Sequence, residues 1–145
     1  MRAVIQRVTE ACVTIEEKVV GKTRAGLCVF LGVSRQDDQN KAHYLADKVA
    51  TLRIFADAQG KMNRSLIDIQ GEILVVSQFT LYGDCKKGNR PSFTEAAAPA
   101  EAERLYHDFL QRLRAVGLTV ATGQFQTHMN VSLTNDGPVT FILEV

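Results

Sequence analysis

Tryptophan is absent from the 145 residues, and cysteine, proline and histidine number three each. No apolar run approaches the roughly 20 residues needed to cross a bilayer. The N-terminus also lacks the charged-then-apolar pattern of a secretory signal. A cytoplasmic protein is therefore expected. Cys12, Cys28 and Cys85 are odd in number and have no metal-ligand spacing, so neither a disulfide framework nor a zinc site is expected. Cys28 lies within Leu27-Cys28-Val29-Phe30-Leu31, where a thiol behaves as a small core hydrophobe, and Cys12 reads the same way. Cys85 precedes Lys86-Lys87, whose charges favour a thiolate, yet no histidine stands near it to act as base. Charge of one sign is lacking too. At a net +1 the chain must meet any anionic partner through a local patch.

The histidines assemble no catalytic set. His43 and His107 fall in helical segments, off the apolar stripes, and His128 opens a strand on its polar face. Glu16-Glu17 and Asp37-Asp38 lie at turns, where solvated carboxylates belong. No Ser-His-Asp or Cys-His order emerges, and no metal or cofactor is expected.

What is present is an ordinary globular composition, 46% hydrophobic and 23% charged, in one domain spanning 1–145. Strands are predicted over Met1 to Val8, Cys12 to Ile15, Leu27 to Val33 and Ile73 to Val76 from β-branched and apolar content. Turns are predicted at Glu16-Glu17 and Gly21-Lys22. Ser34 and Asp37 resemble a capping box before a helix carrying Ala42, Leu45, Val49 and Leu52. A second helix is predicted from about Pro99 to Gly117, burying Ala102, Leu105, Phe109, Leu113 and Val116. Two final strands alternate through Met129, Val131, Leu133 and through Val139, Phe141, Leu143, Val145. The fold class is α+β, a sheet- or barrel-like β core with two main helices packed outside.

Two segments close apolar runs with small polar residues and a glycine: Ser77-Gln78-Phe79-Thr80-Leu81-Tyr82-Gly83-Asp84 and Asn135-Asp136-Gly137-Pro138-Val139-Thr140. Each should set polar backbone at the lip of a packed sheet. With no His, Cys or metal set in either, any chemistry must come from backbone groups or the substrate. Asn135-Asp136-Gly137-Pro138 also has the composition of a plain turn. Its Gly-Pro bond is one of the few places where a cis peptide is stable, and cis geometry would aim two carbonyls so as to hold an ammonium group. Arg7 shares a face with Ala3 and Ile5 in the strand alternation. There it either snorkels to water or clamps carbonyls elsewhere in the fold.

These two segments are similar to the signature motifs of the D-aminoacyl-tRNA deacylases. The opening Met1-Arg2-Ala3-Val4-Ile5-Gln6-Arg7-Val8, Leu31-Gly32-Val33 and Arg90-Pro91-Ser92-Phe93 resemble that family as well. One departure is Phe125-Gln126-Thr127-His128-Met129, where the family commonly has Phe-Gly-Ala before its methionine. The resemblance implies a homodimer in which Gly137 and Pro138, in the cis form, enter the partner's site, hold the α-amino group and reject L residues. Arg7 would fix their carbonyls, with Asn135 in support. Gln78, Phe79 and Thr80 would offer backbone N–H groups to the ester carbonyl, and Ser77 and Met129 would line the substrate.

By the same resemblance the substrate is D-aminoacyl-tRNA, with glycine mischarged on the alanine tRNA as a second one. A ribose hydroxyl of the RNA would assist the attacking water, in preference to Thr80 acting as nucleophile. Lys86, Lys87 and Arg90 are the expected tRNA contacts, with Arg53 and Arg64 weaker candidates. Two other readings stand beside this one. Deacylases that remove L-alanine have a trans Gly-Pro and a different first motif, against the intact Ser77-Gln78-Phe79-Thr80 here. A nucleic-acid-binding dimer without activity would have no need of both motifs unbroken.

Overall fold

In the computed structural model, which describes all of residues 1–145, a 14-residue strand is the spine of the fold: β1, Arg2–Ile15. Antiparallel β8, Asn130–Glu144, follows one edge of β1 along nearly its whole length. The other edge is divided between β2 (Lys18–Thr23), which pairs Ala11 to Ile15, and β3 (Gly26–Gly32), which pairs Arg2 to Val8. Beyond β3 the sheet becomes parallel, through β6 (Glu72–Ser77) and β7 (Thr119–Thr122). Parallel neighbours need crossovers. Helix α1 (Gln39–Thr51) lies in the connection from β3 to β6, and α2 (Pro99–Ala115) in that from β6 to β7. A two-stranded ribbon, β4 (Phe55–Ala56) with β5 (Met62–Arg64), stands apart.

β2 curls back toward β7. A Cβ placed on Gly21 would lie 2.2 Å from the Thr122 carbonyl oxygen, so only glycine permits the approach that nearly closes the sheet into a barrel. Both sheet faces are consequently apolar. Ala3, Ile5, Leu27, Val29, Leu31, Ile73 and Val75 join the two helices in the main core. Cys28, Leu74, Val76, Val8, Ala11 and Val13 form a second cluster on the other face. The alternation in β1 changes phase between Ile5 and Val8, at an irregularity in its pairing with β8.

The helices follow from their sequences. Pro99 occupies the first turn of α2, and Gly117, at φ +90°, follows its C-terminus. Leu105, Phe109 and Leu113 are fully buried. At α1 the N-cap is Asp38, which accepts the Lys41 N–H at 2.9 Å, four residues after the expected cap at Ser34. Asp37 is otherwise engaged. Its carboxylate accepts the Ser34 N–H at 2.7 Å and the Met1 ammonium at 2.6 Å, away from solvent.

Three expectations are corrected. The early strands are one continuous β1, and the final two are one continuous β8. Gly21-Lys22 is strand interior and no turn. The short β2, β4, β5 and β7 carry too little apolar pattern to be read from sequence.

Candidate active site

Ser77 ends β6, and the chain then folds into a 3-10 turn, Phe79–Tyr82. The Gln78 N–H donates to the Leu31 carbonyl at 2.8 Å, while its own carbonyl accepts the Leu81 N–H at 3.2 Å. Phe79 and Thr80 occupy the first two positions of the turn, where N–H groups have no acceptor within it. Of the three expected backbone donors, Gln78 is therefore already spent. Its side-chain amide donates to the Thr80 hydroxyl, which thus faces an amide and no base. Phe79 is 56% exposed and meets Phe93 edge to face at 5.0 Å.

Part of this segment borders a cleft of about 610 Å³, which Thr80 itself does not line. Ser77, Gln78, Phe79 and Met129 line it, with Val76, Val131 and alanines of the α2 side forming apolar walls. Met129 is seated by its neighbours: its sulfur accepts the Gln124 N–H at 3.3 Å and would lie 2.6 Å from a Cβ placed on Gly123. The departure from the family pattern falls on this cleft. Gln126, Thr127 and His128 all line it, and Gln126 takes φ +56°. His128 precedes β8 and is the one ionisable side chain of the lining, which the strand alternation alone did not suggest. A groove of about 680 Å³ elsewhere, beside Glu10, Arg24 and Glu72, contains none of the expected site residues.

The second motif is neither a turn nor a loop. Gln6 opposes Thr140 and Val8 opposes Asn135, so Arg7 alone stands across from Asp136, Gly137, Pro138 and Val139. This bulge is closed by Asn135. Its carboxamide accepts the Val139 N–H at 3.0 Å and donates to the Thr140 hydroxyl at 2.8 Å, in place of ladder bonds that proline cannot supply. Gly137 has φ +120°, and the Gly137-Pro138 bond is cis. Asp136, Gly137 and Pro138 are exposed.

Arg7 is largely buried, at 14% exposure, and clamps rather than snorkels. Its Nη1 donates to the Ile54 carbonyl at 2.7 Å, and its Nε lies 2.9 Å from Asp136 Oδ2 without the alignment of a hydrogen bond. The Gly137 and Pro138 carbonyls receive no hydrogen bond from it. The guanidinium braces the bulge through Asp136 and through contact beside Gly137.

Within one chain the two motifs do not meet. Eight residues of extended chain separate Met129 from Gly137, roughly 25 Å at strand rise, and no residue of 135–140 lines the cleft.

Lys86, Lys87 and Arg90 are exposed on the hairpin clasped by reciprocal Asp84–Ser92 backbone bonds of 2.7 and 2.9 Å. Arg64 instead donates to the Asp68 carbonyl at 2.6 Å. Cys85 is exposed, and burial pushes the Cys28 thiol up to about 12.

Comparison with known proteins gives the family of the chain. The family model described as D-Tyr-tRNA(Tyr) deacylase matches residues 4–144. A D-aminoacyl-tRNA deacylase of Thermotoga petrophila is 59% identical over 144 residues, covering 99% of this chain and 97% of that protein. One from Symbiobacterium thermophilum is 58% identical, covering 99% and 95%. A solved structure titled c-Myc DNA Unwinding Element Binding Protein superposes with TM-score 0.94 at 42% identity, covering 100% of this chain and 99% of that one. A probable eukaryotic D-amino acid tRNA deacylase shares the fold, with TM-score 0.83 at 18% identity over 99% and 98% of the chains. The chain belongs to the D-Tyr-tRNA(Tyr) deacylase family, hydrolases of the aminoacyl-tRNA ester bond.

Proposed function

We propose that the protein hydrolyses the ester of D-aminoacyl-tRNA at a site built from two copies of the chain. One copy supplies the cleft beside Phe79 and Thr80, and the other inserts Gly137 and Pro138. The observation that carries this reading is the separation of the motifs. A cleft with uncommitted backbone donors lies roughly 25 Å along the strand from an exposed, braced Gly-Pro bulge, so a second copy is needed to join them.

The aminoacyl ester is already activated, so the reaction needs a positioned water and stabilisation of the tetrahedral oxyanion. The Phe79 and Thr80 N–H groups are the donors for that oxyanion, and the loss of one such donor typically costs on the order of a hundredfold or more. Thr80 is a poor candidate nucleophile because the Gln78 amide, which cannot take a proton, holds its hydroxyl. The ribose hydroxyl beside the ester, present in RNA, orients the water. The carbonyls of Gly137 and Pro138 receive the α-amino group, and the main chain there leaves no room for a side chain of L configuration. Selectivity by exclusion tolerates many D residues and admits glycine. Lys86, Lys87 and Arg90 meet the tRNA backbone, with a shallow salt dependence expected from so few phosphate contacts.

The test is hydrolysis of D-tyrosyl-, L-tyrosyl- and glycyl-tRNA by the purified protein. Cleavage of the D and glycyl esters with the L ester spared supports the proposal. Equal cleavage of both tyrosyl esters removes the chiral gate, and inertness toward all three leaves a nucleic-acid-binding module.

A further inference from the structure

Gln126 is a non-glycine residue in the left-handed region, φ +56°, on the wall of the cleft. That backbone disfavours any residue with a Cβ by about 1 kcal/mol or more, and the glycine common in the family at this place avoids the cost. The side chain gives nothing back within the chain. Gln126 is exposed and its carboxamide takes part in no intramolecular hydrogen bond, whereas neighbouring Thr127 bonds the Phe125 carbonyl at 3.3 Å. A left-handed residue with an uncommitted amide on a ligand cleft points to a ligand contact.

The rest of the lining indicates which part of the substrate is met. The walls are mostly apolar, and the exposed positions among them are Phe79, Gln126 and His128, with residues at the start of α2. An exposed aromatic ring and an amide that both donates and accepts, on the lining of one cleft, are the two groups that recognise an unstacked nucleobase, by stacking and by edge hydrogen bonds. Glutamine matches the paired donor and acceptor of adenine. We propose that Gln126 is a specificity-determining contact for the adenine base carried by the terminal ribose of the substrate, with Phe79 as its stacking surface. The inference rests on the deacylase reading of this cleft and adds a base contact to it.

Gln126→Gly and Gln126→Ala variants test it. For both, KM for D-tyrosyl-tRNA and for D-alanyl-tRNA rises about fivefold to tenfold, the loss of one or two hydrogen bonds, with kcat retained. Gln126→Gly, relieved of its backbone strain, keeps or raises Tm. An increase in KM confined to one amino acid assigns Gln126 to the amino-acid side chain and overturns the proposal. So does an unchanged KM, or a fall in Tm for the glycine variant. Binding of uncharged tRNA is the second measurement. Wild type loses about tenfold in affinity when the terminal adenosine is removed, and Gln126→Gly, which keeps the Phe79 ring, loses only about twofold; equal losses in both overturn the contact. Should wild type hydrolyse neither D ester while that difference persists, the deacylase reading fails and the base contact stands.

Discussion

Arg7 Nε lies 2.9 Å from Asp136 Oδ2, one residue before Gly137, while Arg7 Nη1 holds the Ile54 carbonyl at 2.7 Å. One side chain thereby ties the exposed Gly-Pro bulge to the segment that follows α1. Arg7→Met removes both contacts and leaves the Ile54 carbonyl without its donor, at a cost of about 1–3 kcal/mol. Urea denaturation is expected to show that loss, with activity falling further than stability because the bulge is unbraced. Arg7→Lys keeps the charge but not the fork, and is expected to fall between. Full activity in Arg7→Met would rule out the brace.

Asn135 acts on the same bulge from the other side. Asn135→Ala strips the acceptor from the Val139 N–H and the donor from Thr140, for a loss of about 1–2 kcal/mol. Asn135→Asp keeps the acceptor for Val139. Steady-state kinetics are expected to rank wild type above Asp and Asp above Ala. An equal loss in both would mean that the amide donor alone matters.

Gly137 tolerates no side chain. A Cβ there would lie 2.8 Å from Val139 Cγ2 and 3.0 Å from Arg7 Nη2, on a backbone at φ +120°. Gly137→Ala is expected to abolish D-tyrosyl-tRNA hydrolysis while far-UV circular dichroism stays native. Retained activity would contradict the close packing of the bulge.

Asp37 gives a pH signature. Burial pushes its carboxyl up, but hydrogen bonds from the Met1 ammonium and Ser34, with the ammonium's charge, outweigh burial and hold it below the ordinary value of 3.8. A folded-state value below the unfolded one stabilises the protein above about pH 4, and that stability is lost as pH falls through the folded value. Tm measured from pH 6 to pH 2 is expected to fall more steeply for wild type than for Asp37→Asn. Parallel curves would count against the ion pair.

Thiol labelling reads the core directly. Cys85 is exposed, whereas Cys28 is buried with its thiol pushed up to about 12, so alkylation of the native protein is expected at Cys85 and absent at Cys28. Modification of Cys28 before unfolding would mean that β3 opens to solvent.

Much of this was legible in the chain. Leu105, Phe109 and Leu113 at helical spacing, bounded by Pro99 and Gly117, fixed α2, and the apolar run from Ile73 to Val76 marked β6. The cleft-forming Ser77 to Thr80 was legible from the polar residues that end that run. The long strands were misread for a local reason. Thr9-Glu10 and Asn135 to Pro138 look like breaks, and only pairing with another strand shows that bulges carry the ladder through. Arg7's odd placement was visible, but its partners Ile54 and Asp136 lie far away in sequence. The engagement of the Gln78 N–H by Leu31 depends on tertiary packing in the same way.

The two-copy site is tested most directly by complementation. Gly137→Ala, with its bulge disrupted, and Ala97→Trp, which fills the cleft that Ala97 lines, are each expected to be inactive toward D-tyrosyl-tRNA. Mixed and allowed to exchange subunits, they recreate one site from an intact cleft and an intact bulge, and D-specific hydrolysis is expected to return. A mixture that exchanges subunits and stays inactive, or an Ala97→Trp variant as active as wild type, would contradict a site shared between copies.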